Sequence, residues 1–452
     1  MSINFFLEIF CQNADRNSIV WNDQYFSYQW LLENIEFWGN ELADLKIEPG
    51  TLVAIEADFS PNSISLMLSL IRRSCLILPI HYSTKNKEML KEIAQIEYLF
   101  EIDEKDHVAS NPVARVASHK YYETLRGKKN PGLVLFSSGS SGEPKCAVHD
   151  FTKLLEKFKK KRSSLKIVNF LLFDHWGGLN TMFHTLSNAG TVLTLNRRTP
   201  DAVCEFIEKY GIEVLPASPT FINLLLISEA YKRYDLSSLK TISYGTEPMA
   251  ESTLQKLNKI FPAITILQTY GLIEVGVLRS KSKSSDSLWV KVGGEGYQTR
   301  VVDGLLEIKA KSTMLGYLNA PNPFTVDGWY QTGDSVEVKG EYIKILGRKS
   351  EMINVGGEKV YPAEIESIIQ EFDNISDVTA YGEINPIIGQ IVCVKIQLIH
   401  EENHKDFKRR LKKYCGEKMP SFQVPVKIEI LTEKLHNERY KKLRSWKSNE
   451  AK

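Results

Sequence analysis

The sequence is poor in several features that would assign it to a specialised class of protein. Its six cysteines are scattered over 452 residues without a CxxC pair, so their spacing suggests neither a zinc site nor a disulfide framework. Lysine and arginine total 57, against 55 aspartate and glutamate residues. This balance of charge gives no reason to expect nucleic acid or an anionic membrane as the main partner.

Long hydrophobic runs are missing as well. No apolar run reaches the roughly 18 residues that a membrane helix needs. Residues 1–16 lack a basic n-region and are interrupted by Glu8, unlike a secretory signal peptide. Reduced, scattered thiols fit a cytosolic protein. We therefore expect a cytoplasmic protein with no membrane span and no nucleic-acid partner.

What the first two-thirds of the chain does have is alternation of short apolar runs with amphipathic stretches. Residues 52–57 and 75–80 predict strands, 63–74 and 88–96 predict helices, and the alternation returns over 190–271. This pattern favours parallel sheets with helices on both faces. Such sheets bind ligands at the carboxyl ends of their strands.

The pattern changes twice towards the C-terminus. Residues 285–346 show strand periodicity with glycine turns, which predicts a β-rich subdomain, and a helix opened by Pro362 begins a small α+β region. A chain of this length exceeds one hydrophobic core. We predict an α/β fold with a large N-terminal domain, 1–347, of parallel sheets with flanking helices plus the β-rich subdomain. A small mobile α+β C-terminal domain, 348–452, follows a hinge at 347–350.

One loop carries the strongest chemical signal. An apolar strand runs into a serine- and glycine-rich turn that ends at Lys145. Glycines let backbone N–H groups face a polyanion, and hydroxyls and the lysine add donors and charge. It is not a Walker A loop, because Glu143 and Pro144 precede the lysine. The loop predicts a phosphate site, with a solvent-exposed turn as the alternative, formed by Ser137, Ser138, Gly139, Ser140, Ser141, Gly142 and Lys145.

This loop resembles the signature of the adenylate-forming superfamily, which includes acyl-CoA synthetases, amino-acid-adenylating domains and firefly luciferase. Five more segments resemble that family's motifs in its order, namely 244–248, 270–274, 328–334, 347–351 and 354–366. The resemblance covers nearly the whole chain. It implies an ATP-dependent acid–thiol ligase of the acyl-CoA synthetase-like branch, which makes acyl-AMP, releases pyrophosphate and passes the acyl group to a thiol.

The reaction joins two anions, a carboxylate and the α-phosphate of ATP. At about 4 Å their repulsion costs about 4 kcal/mol at an effective dielectric of 20, so positive charge and Mg²⁺ are expected. The resemblance makes Glu274 the catalytic carboxylate associated with the metal. It makes Lys441 the catalytic lysine, although Tyr440 replaces the family's preceding glycine and Lys442 is a rival one residue on.

The resemblance also assigns the nucleotide contacts. Asp334 would accept the ribose hydroxyls, and Arg348 would add a second ribose contact. The remaining ATP-binding residues are Gly245, Thr246 and Glu247 near the adenine and the acyl carboxylate, and Gln268, Thr269 and Tyr270, with Gly271, on the adenine's other face. Ile273 stands where the family has Thr or Ser, so one donor to the α-phosphate is missing unless Thr269 or a phosphate-loop hydroxyl replaces it.

The acid and the thiol are the least defined parts. By resemblance the acyl pocket is bordered by His175, Gly177 and Gly178, and the thiol tunnel by Gly356 and Gly357. The acceptor is coenzyme A or the phosphopantetheine of an acyl carrier protein. In amino-acid-activating members of that family an aspartate in this region pairs with the substrate's α-amino group. Asp174 lies one residue before the matching position, and on a strand this shift turns its side chain to the other face. We therefore expect an acid without an α-amino group.

Two alternatives stay open beside the ligase. One is a stand-alone enzyme that loads an amino or aryl acid on a carrier protein. The other is a catalytically silent nucleotide-binding homologue, which Ile273 and Tyr440 motivate.

Overall fold

The computed structural model describes residues 3–137 and 143–444. The strands within these ranges are β1 (Asn17–Trp21), β2 (Gln24–Ser27), β3 (Leu52–Glu56), β4 (Leu76–Ile80), β5 (Tyr98–Ile102), β6 (Val108–Pro112), β7 (Gly132–Ser137), β8 (Lys145–Asp150), β9 (Lys166–Asn169), β10 (Thr191–Thr194), β11 (Val214–Ala217), β12 (Thr241–Tyr244), β13 (Thr265–Gln268), β14 (Gly271–Leu272), β15 (Gly276–Val277), β16 (Ser280–Ser282), β17 (Trp289–Val292), β18 (Tyr297–Val302), β19 (Leu305–Ala310), β20 (Gly316–Tyr317), β21 (Tyr330–Lys339), β22 (Tyr342–Arg348), β23 (Ile353–Val355), β24 (Glu358–Val360), β25 (Ile375–Asn385), β26 (Gly389–Leu398) and β27 (Lys427–Ile430).

The α-helices of the same residues are α1 (Asn4–Gln12), α2 (Tyr28–Asp44), α3 (Pro61–Arg72), α4 (Lys87–Ala94), α5 (Lys120–Lys128), α6 (Phe151–Leu155), α7 (Trp176–Leu186), α8 (Pro200–Tyr210), α9 (Pro219–Ser228), α10 (Glu251–Ile260), α11 (Pro362–Ile369) and α12 (His404–Lys418). In the part of the chain that the structure describes, no helix is long and apolar enough to cross a membrane.

Several helices begin directly after the strand that precedes them, for a local reason. Strand β11 ends at Ala217, the Ser218 side chain accepts the backbone N–H of Phe221, and Pro219 occupies the first turn of α9. Serine is a strong N-cap, and proline has no N–H to leave unpaired in the first turn. The carboxyl end of the strand therefore lies beside the N-terminus of a helix, where donors are available for a ligand.

Two seven-stranded sheets make up most of the large domain. Their orders are β13-β12-β11-β9-β10-β1-β2 and β20-β8-β7-β4-β3-β5-β6. The central pairs are parallel, whereas β2, β6, β8 and β20 pair antiparallel. The predicted α/β fold is confirmed, but the sheets are mixed rather than wholly parallel. The phosphate loop causes part of this difference, because it connects β7 and β8 as antiparallel neighbours.

The β-rich subdomain and the small domain also appear as predicted. A six-stranded antiparallel sheet has the order β16-β17-β22-β21-β19-β18, and a smaller sheet has the order β24-β23-β26-β25 with β27 parallel to β26. The small domain has its own core, which includes Ile365, Val378, Val394, Phe407 and Leu411. Strand β22 ends at Arg348, before a short 3-10 helix over Lys349–Glu351. The exact division at 347–350 stays a prediction.

Candidate active site

A buried carboxylate forms the centre of the predicted ribose site. Asp334 on β21 accepts the hydroxyl of Tyr270 at 2.5 Å and the Nε of Arg348 at 2.8 Å. Arg348 also donates to the carbonyl of Thr332 at 2.7 Å. Burial raises the pKa of Asp334, and the adjacent Arg348 charge opposes that rise. Each carboxylate oxygen keeps a second lone pair, so this fixed group can still accept hydroxyl donors.

The segment after β12 is packed against the segment after β13. A side chain at Gly245 would come 2.5 Å from the Thr269 hydroxyl, and Thr246 has a φ of +75°. Glu247 accepts the backbone N–H of Thr220 at 2.9 Å with one oxygen and the backbone N–H of Lys442 at 3.1 Å with the other. The predicted adenine segment is thus joined to both α9 and the C-terminal tail.

The segment on the other side of the predicted adenine site is fixed by backbone contacts. Gln268 donates its N–H to the Ser282 hydroxyl at 2.7 Å, and Gly271 pairs with Val277. The Thr269 hydroxyl donates to the Tyr244 carbonyl at 3.0 Å. Because that proton is already used, Thr269 replaces the donor missing at position 273 only by breaking this bond.

Ile273 itself is turned towards apolar neighbours. It packs against the cluster of Ala147, Met314 and Tyr317. This contact supplies a structural reason for isoleucine where the resemblance leads us to expect a hydroxyl.

The phosphate side of the site is described only at its ends. Ser137 and Lys145 face each other as the last antiparallel pair of β7 and β8. The predicted residues Ser138, Gly139, Ser140, Ser141 and Gly142 lie outside the described residues and stay predictions.

Glu274 lies beside the lysine end of the phosphate loop. The hydroxyl of Tyr317 donates to a Glu274 oxygen at 2.5 Å, and the Lys145 Nζ is 5.7 Å from the centre of the Tyr317 ring. Sequence reasoning missed Tyr317, which has no motif around it. In residues 3–137 and 143–444 no three His, Cys, Asp or Glu side chains form a group suited to hold a metal ion. Glu274 is therefore a single carboxylate, which suits a Mg²⁺ ion held chiefly by phosphates.

The two candidate lysines point to different environments. Burial lowers the pKa of Lys441, and the Arg348 charge lowers it further while Glu247 opposes. The Lys441 charge in turn opposes the rise that burial causes in the pKa of Asp334, so these two groups interact electrostatically. The Lys442 Nζ donates to the Val378 carbonyl at 2.6 Å.

Lys442 is also held by acidic side chains of the small domain. Its Nζ lies 3.4 Å from Asp377 and 3.5 Å from Glu366, and Arg444 pairs with Glu366 at 2.7 Å. Lys442 is thus committed to the interior of the small domain, which favours the Lys441 register.

His175 and its two glycines begin helix α7. The Nδ1 of His175 accepts the N–H of Gly177 at 3.0 Å, and burial lowers the pKa of His175 to about 3, with the Arg439 charge adding to the effect. A side chain at Gly178 would come 2.4 Å from the Leu172 carbonyl. These glycines therefore have a packing role in addition to any role at an acyl pocket.

Asp174 lies in a turn after β9 rather than on the predicted strand. It is buried, accepts the Thr84 hydroxyl at 2.7 Å and pairs with Arg439 at 2.8 Å. These partners occupy one of its oxygens. The expectation of an acid without an α-amino group stays a prediction.

Gly356 and Gly357 form the turn between β23 and β24, with φ values of +61° and +96°. Gly356 donates to the Ile388 carbonyl at 2.8 Å, and Gly357 donates to the Asn354 side chain at 3.0 Å. Among the described residues, no hydrogen bond or ion pair links this turn to the large domain. A side chain at either glycine would meet no other described atom within 4 Å, and the predicted role of the two glycines in a thiol tunnel stays a prediction.

Known structures share this architecture. The anthranilate CoA ligase AuaEII in complex with anthranoyl-AMP has a TM-score of 0.81 at 17% identity, covering 98% of this chain and 95% of that one. ATP-bound MatB from Rhodopseudomonas palustris has a TM-score of 0.78 at 19% identity and 97% coverage of both chains. At this level of identity the likeness establishes the fold of adenylate-forming enzymes.

The chain belongs to the AMP-binding enzyme family, whose model matches residues 8–317, and the AMP-binding enzyme C-terminal domain matches residues 364–442. Among curated relatives, the indoleacetate–CoA ligase of Aromatoleum aromaticum is 27% identical over 60% of this chain and 58% of its own length. The 2-succinylbenzoate–CoA ligase of Bacillus cytotoxicus is 23% identical over 95% of each chain. The match thus spans less than two-thirds of the first relative and nearly all of the second.

Proposed function

We propose that the chain is an AMP-forming acid–thiol ligase. It would join a carboxylic acid to the α-phosphate of ATP, release pyrophosphate and transfer the acyl group from AMP to a thiol. The observation that supports the proposal is the ion pair between Asp334 and Arg348, with which the Lys441 charge interacts from a separate segment of the chain. A loop that only binds a nucleotide has no need of a lysine from a second domain, whereas the adenylation reaction does.

The charges of the site fit the first half-reaction. An acid carboxylate and the α-phosphate repel each other, and Lys145, which lies over the Tyr317 ring, and Lys441, which interacts with Asp334, would supply positive charge. Glu274 would hold Mg²⁺ together with phosphate oxygens, since one buried carboxylate is enough for a metal that keeps phosphate and water ligands. Bound Mg²⁺ neutralises charge that builds on the phosphates. The Tyr317 hydroxyl orients the Glu274 oxygen that it contacts.

The ribose would be held by Asp334 with Arg348, and the adenine would lie between the Gly245–Glu247 and Gln268–Gly271 segments. The missing hydroxyl at Ile273 leaves the α-phosphate dependent on the phosphate-loop residues. These assignments are the ones that the resemblance predicted.

Coenzyme A is the acceptor that we propose, because the relatives over both short and full-length matches are named CoA ligases. The thiol would enter past Gly356 and Gly357 after the small domain turns about 347–350. A carrier protein presents the same phosphopantetheine arm and is the second candidate acceptor. The Lys441 ammonium must leave the site before the thiol arrives, which gives the turn its purpose.

The test is acid-dependent exchange of labelled pyrophosphate into ATP with purified protein and Mg²⁺. The panel should contain indoleacetate, 2-succinylbenzoate, anthranilate, 4-coumarate and a long-chain fatty acid, each with and without coenzyme A. The ligase predicts exchange with at least one acid and an acyl-CoA product when coenzyme A is added. Exchange with transfer to a carrier protein but not to coenzyme A would favour the second acceptor.

A catalytically silent nucleotide-binding homologue is the alternative that Ile273 and Tyr440 support. It predicts ATP binding, measured in the same sample, without exchange for any acid. That result would overturn the proposed activity.

A further inference from the structure

The end of the small domain forms a compact hairpin that reaches the large domain. His436 and Lys442 pair as an antiparallel bridge, and the Asn437 side chain accepts the backbone N–H groups of Arg439 at 3.0 Å and Lys441 at 3.1 Å. We call residues 436–442 the tail hairpin. Its tip carries Arg439 and Tyr440 immediately before Lys441, so any contact made at the tip also positions the lysine.

The first tip contact is an ion pair across the two domains. The Nη2 of Arg439 lies 2.8 Å from Asp174, whose side chain is 7% exposed. The same Asp174 oxygen accepts the Thr84 hydroxyl at 2.7 Å, and its other oxygen is buried without a hydrogen-bond partner among the described residues. Removing the cation from a buried carboxylate leaves an uncompensated charge, which is strongly destabilising.

The second tip contact is an aromatic one. The ring of Tyr440 lies 5.3 Å from that of Phe221 and 5.8 Å from that of Phe170, and its hydroxyl donates to the Arg198 carbonyl at 2.6 Å. Arg198 is itself fixed by an ion pair with Asp58 at 2.8 Å. The Tyr440 side chain thus packs against the large domain.

The backbone of Tyr440 has a conformation that is unfavourable for a residue with a side chain. Its φ is +50°, in the left-handed region that favours glycine, and the family pattern has glycine at this position. A tyrosine in that conformation is strained unless its side chain is held in place. The ring contacts and the hydrogen bond to Arg198 offset the strain only while the tail hairpin is docked.

We propose that Arg439 and Tyr440 form an interdomain latch that holds the small domain in the arrangement that delivers Lys441. They are positioning residues, and the inference rests on the proposed function because the latch matters for acyl-AMP formation. The thiol step needs the latch open. Lys442 and Arg444 bind the base of the tail hairpin to Glu366 and Asp377, so the tip and the small domain move together.

The latch predicts an unequal effect on the two half-reactions. Without Arg439, Asp174 is left buried and unpaired while the hairpin is docked, but it meets water when the hairpin leaves. Loss of Arg439 therefore penalises the docked arrangement alone. We expect Arg439→Gln to lower pyrophosphate exchange at least about tenfold, which corresponds to roughly 1.4 kcal/mol of domain equilibrium. Conversion of supplied acyl-AMP to the thioester should stay within about twofold.

Matched variants separate a latch from a general structural role. Arg439→Lys keeps the charge and should restore most of the exchange. The double variant Asp174→Asn with Arg439→Gln removes both charges and should lose less exchange than the sum of its single variants. Arg409→Gln is the control, because Arg409 is 79% exposed and pairs with Asp406 on the same helix; it should change neither half-reaction.

A distance measurement tests the latch without any acid. Spin labels are placed at Glu205→Cys in α8 and Lys412→Cys in α12, both exposed, after Cys11→Ser removes the exposed natural thiol. The docked distance should dominate in the otherwise unchanged protein and in Arg439→Lys. Arg439→Gln and Tyr440→Gly should each move population to other distances.

Each outcome decides the proposal. An unchanged distance distribution together with unchanged exchange in Arg439→Gln overturns the latch, as does an equal loss in both half-reactions. If none of the acids in the panel supports pyrophosphate exchange by the unmodified protein, the proposed function fails. The distance measurement still decides whether the tail hairpin latches the domains.

Discussion

Two regions carry the cations of this site, and they are held in different ways. We define the ribose site as Tyr270, Asp334 and Arg348. A hydrogen bond and an ion pair hold these side chains together, and Asp334 and Arg348 pair directly on the neighbouring strands β21 and β22. The tail hairpin reaches the same place from the small domain and depends on contacts at its tip. The difference supports our proposal that the nucleotide side of the site is permanent, whereas Lys441 would enter and leave the site with the small domain.

Removing the charge of Lys441 should have the largest effect on pyrophosphate exchange. Lys441→Ala should lower exchange by about 10²–10³-fold, as expected for loss of one group that stabilises a transition state, without a large change in the free energy of unfolding. Isotope exchange and denaturant unfolding measure the two quantities.

Lys442→Ala is the matched control for that variant. It removes the lysine beside the buried Asp377 and leaves Glu366 paired with Arg444, so we expect a loss of about 3–5 kcal/mol in the stability of the small domain. If Lys442→Ala instead abolishes exchange at full stability while Lys441→Ala retains it, the two roles are reversed.

A change in the ribose site should affect the binding of ATP more than the positioning of Lys441. Asp334→Asn removes a charged acceptor and leaves Arg348 without its partner, so the affinity for ATP should fall about 10–100-fold, or roughly 1.4–3 kcal/mol. Calorimetric titration with ATP measures this change. Tyr270→Phe removes one donor and should cost less; an equal or larger loss would show that the hydroxyl, not the carboxylate, dominates.

The missing hydroxyl can be restored. Ile273→Thr supplies a donor at the α-phosphate, and we expect exchange to rise by up to about tenfold. The apolar contact with Met314 and Tyr317 is reduced, so a small loss of stability accompanies the gain. A rate that is unchanged or lower would mean that phosphate-loop residues already fill this role.

The smallest effect concerns pH. Burial lowers the pKa of His175 to about 3, so between pH 3 and about 6.5 the unfolded chain binds a proton that the folded one does not. The free energy of unfolding therefore rises with pH in this window, by at most about 1.4 kcal/mol per pH unit for one group. His175→Asn, which keeps an N-cap acceptor, should reduce that slope. An unchanged slope would show that His175 is not held neutral.

Much of the fold was predictable because it depends on local patterns. Strand and helix periodicity over 52–96 and 190–271 gave elements that the structure confirms within a few residues. The mixed character of the sheets was not predictable from periodicity, since a short connection such as the phosphate loop makes β7 and β8 antiparallel.

The site shows the same limit. Motifs identified Asp334, Glu274 and Lys441, which stay proposed roles, but no motif pointed to Tyr317 or to the Arg439–Asp174 pair. Those contacts join residues 43 and 265 positions apart in the sequence. Pairings of that kind are set by how the domains pack, and a single sequence holds no local signal for them.

Acid-dependent pyrophosphate exchange at saturating ATP, with nucleotide binding measured on the same preparation, tests the central claim most directly. We predict that at least one carboxylic acid of the panel drives label into ATP and that Lys441→Ala prevents it while ATP still binds. Tight ATP binding with no exchange under any acid would contradict the account.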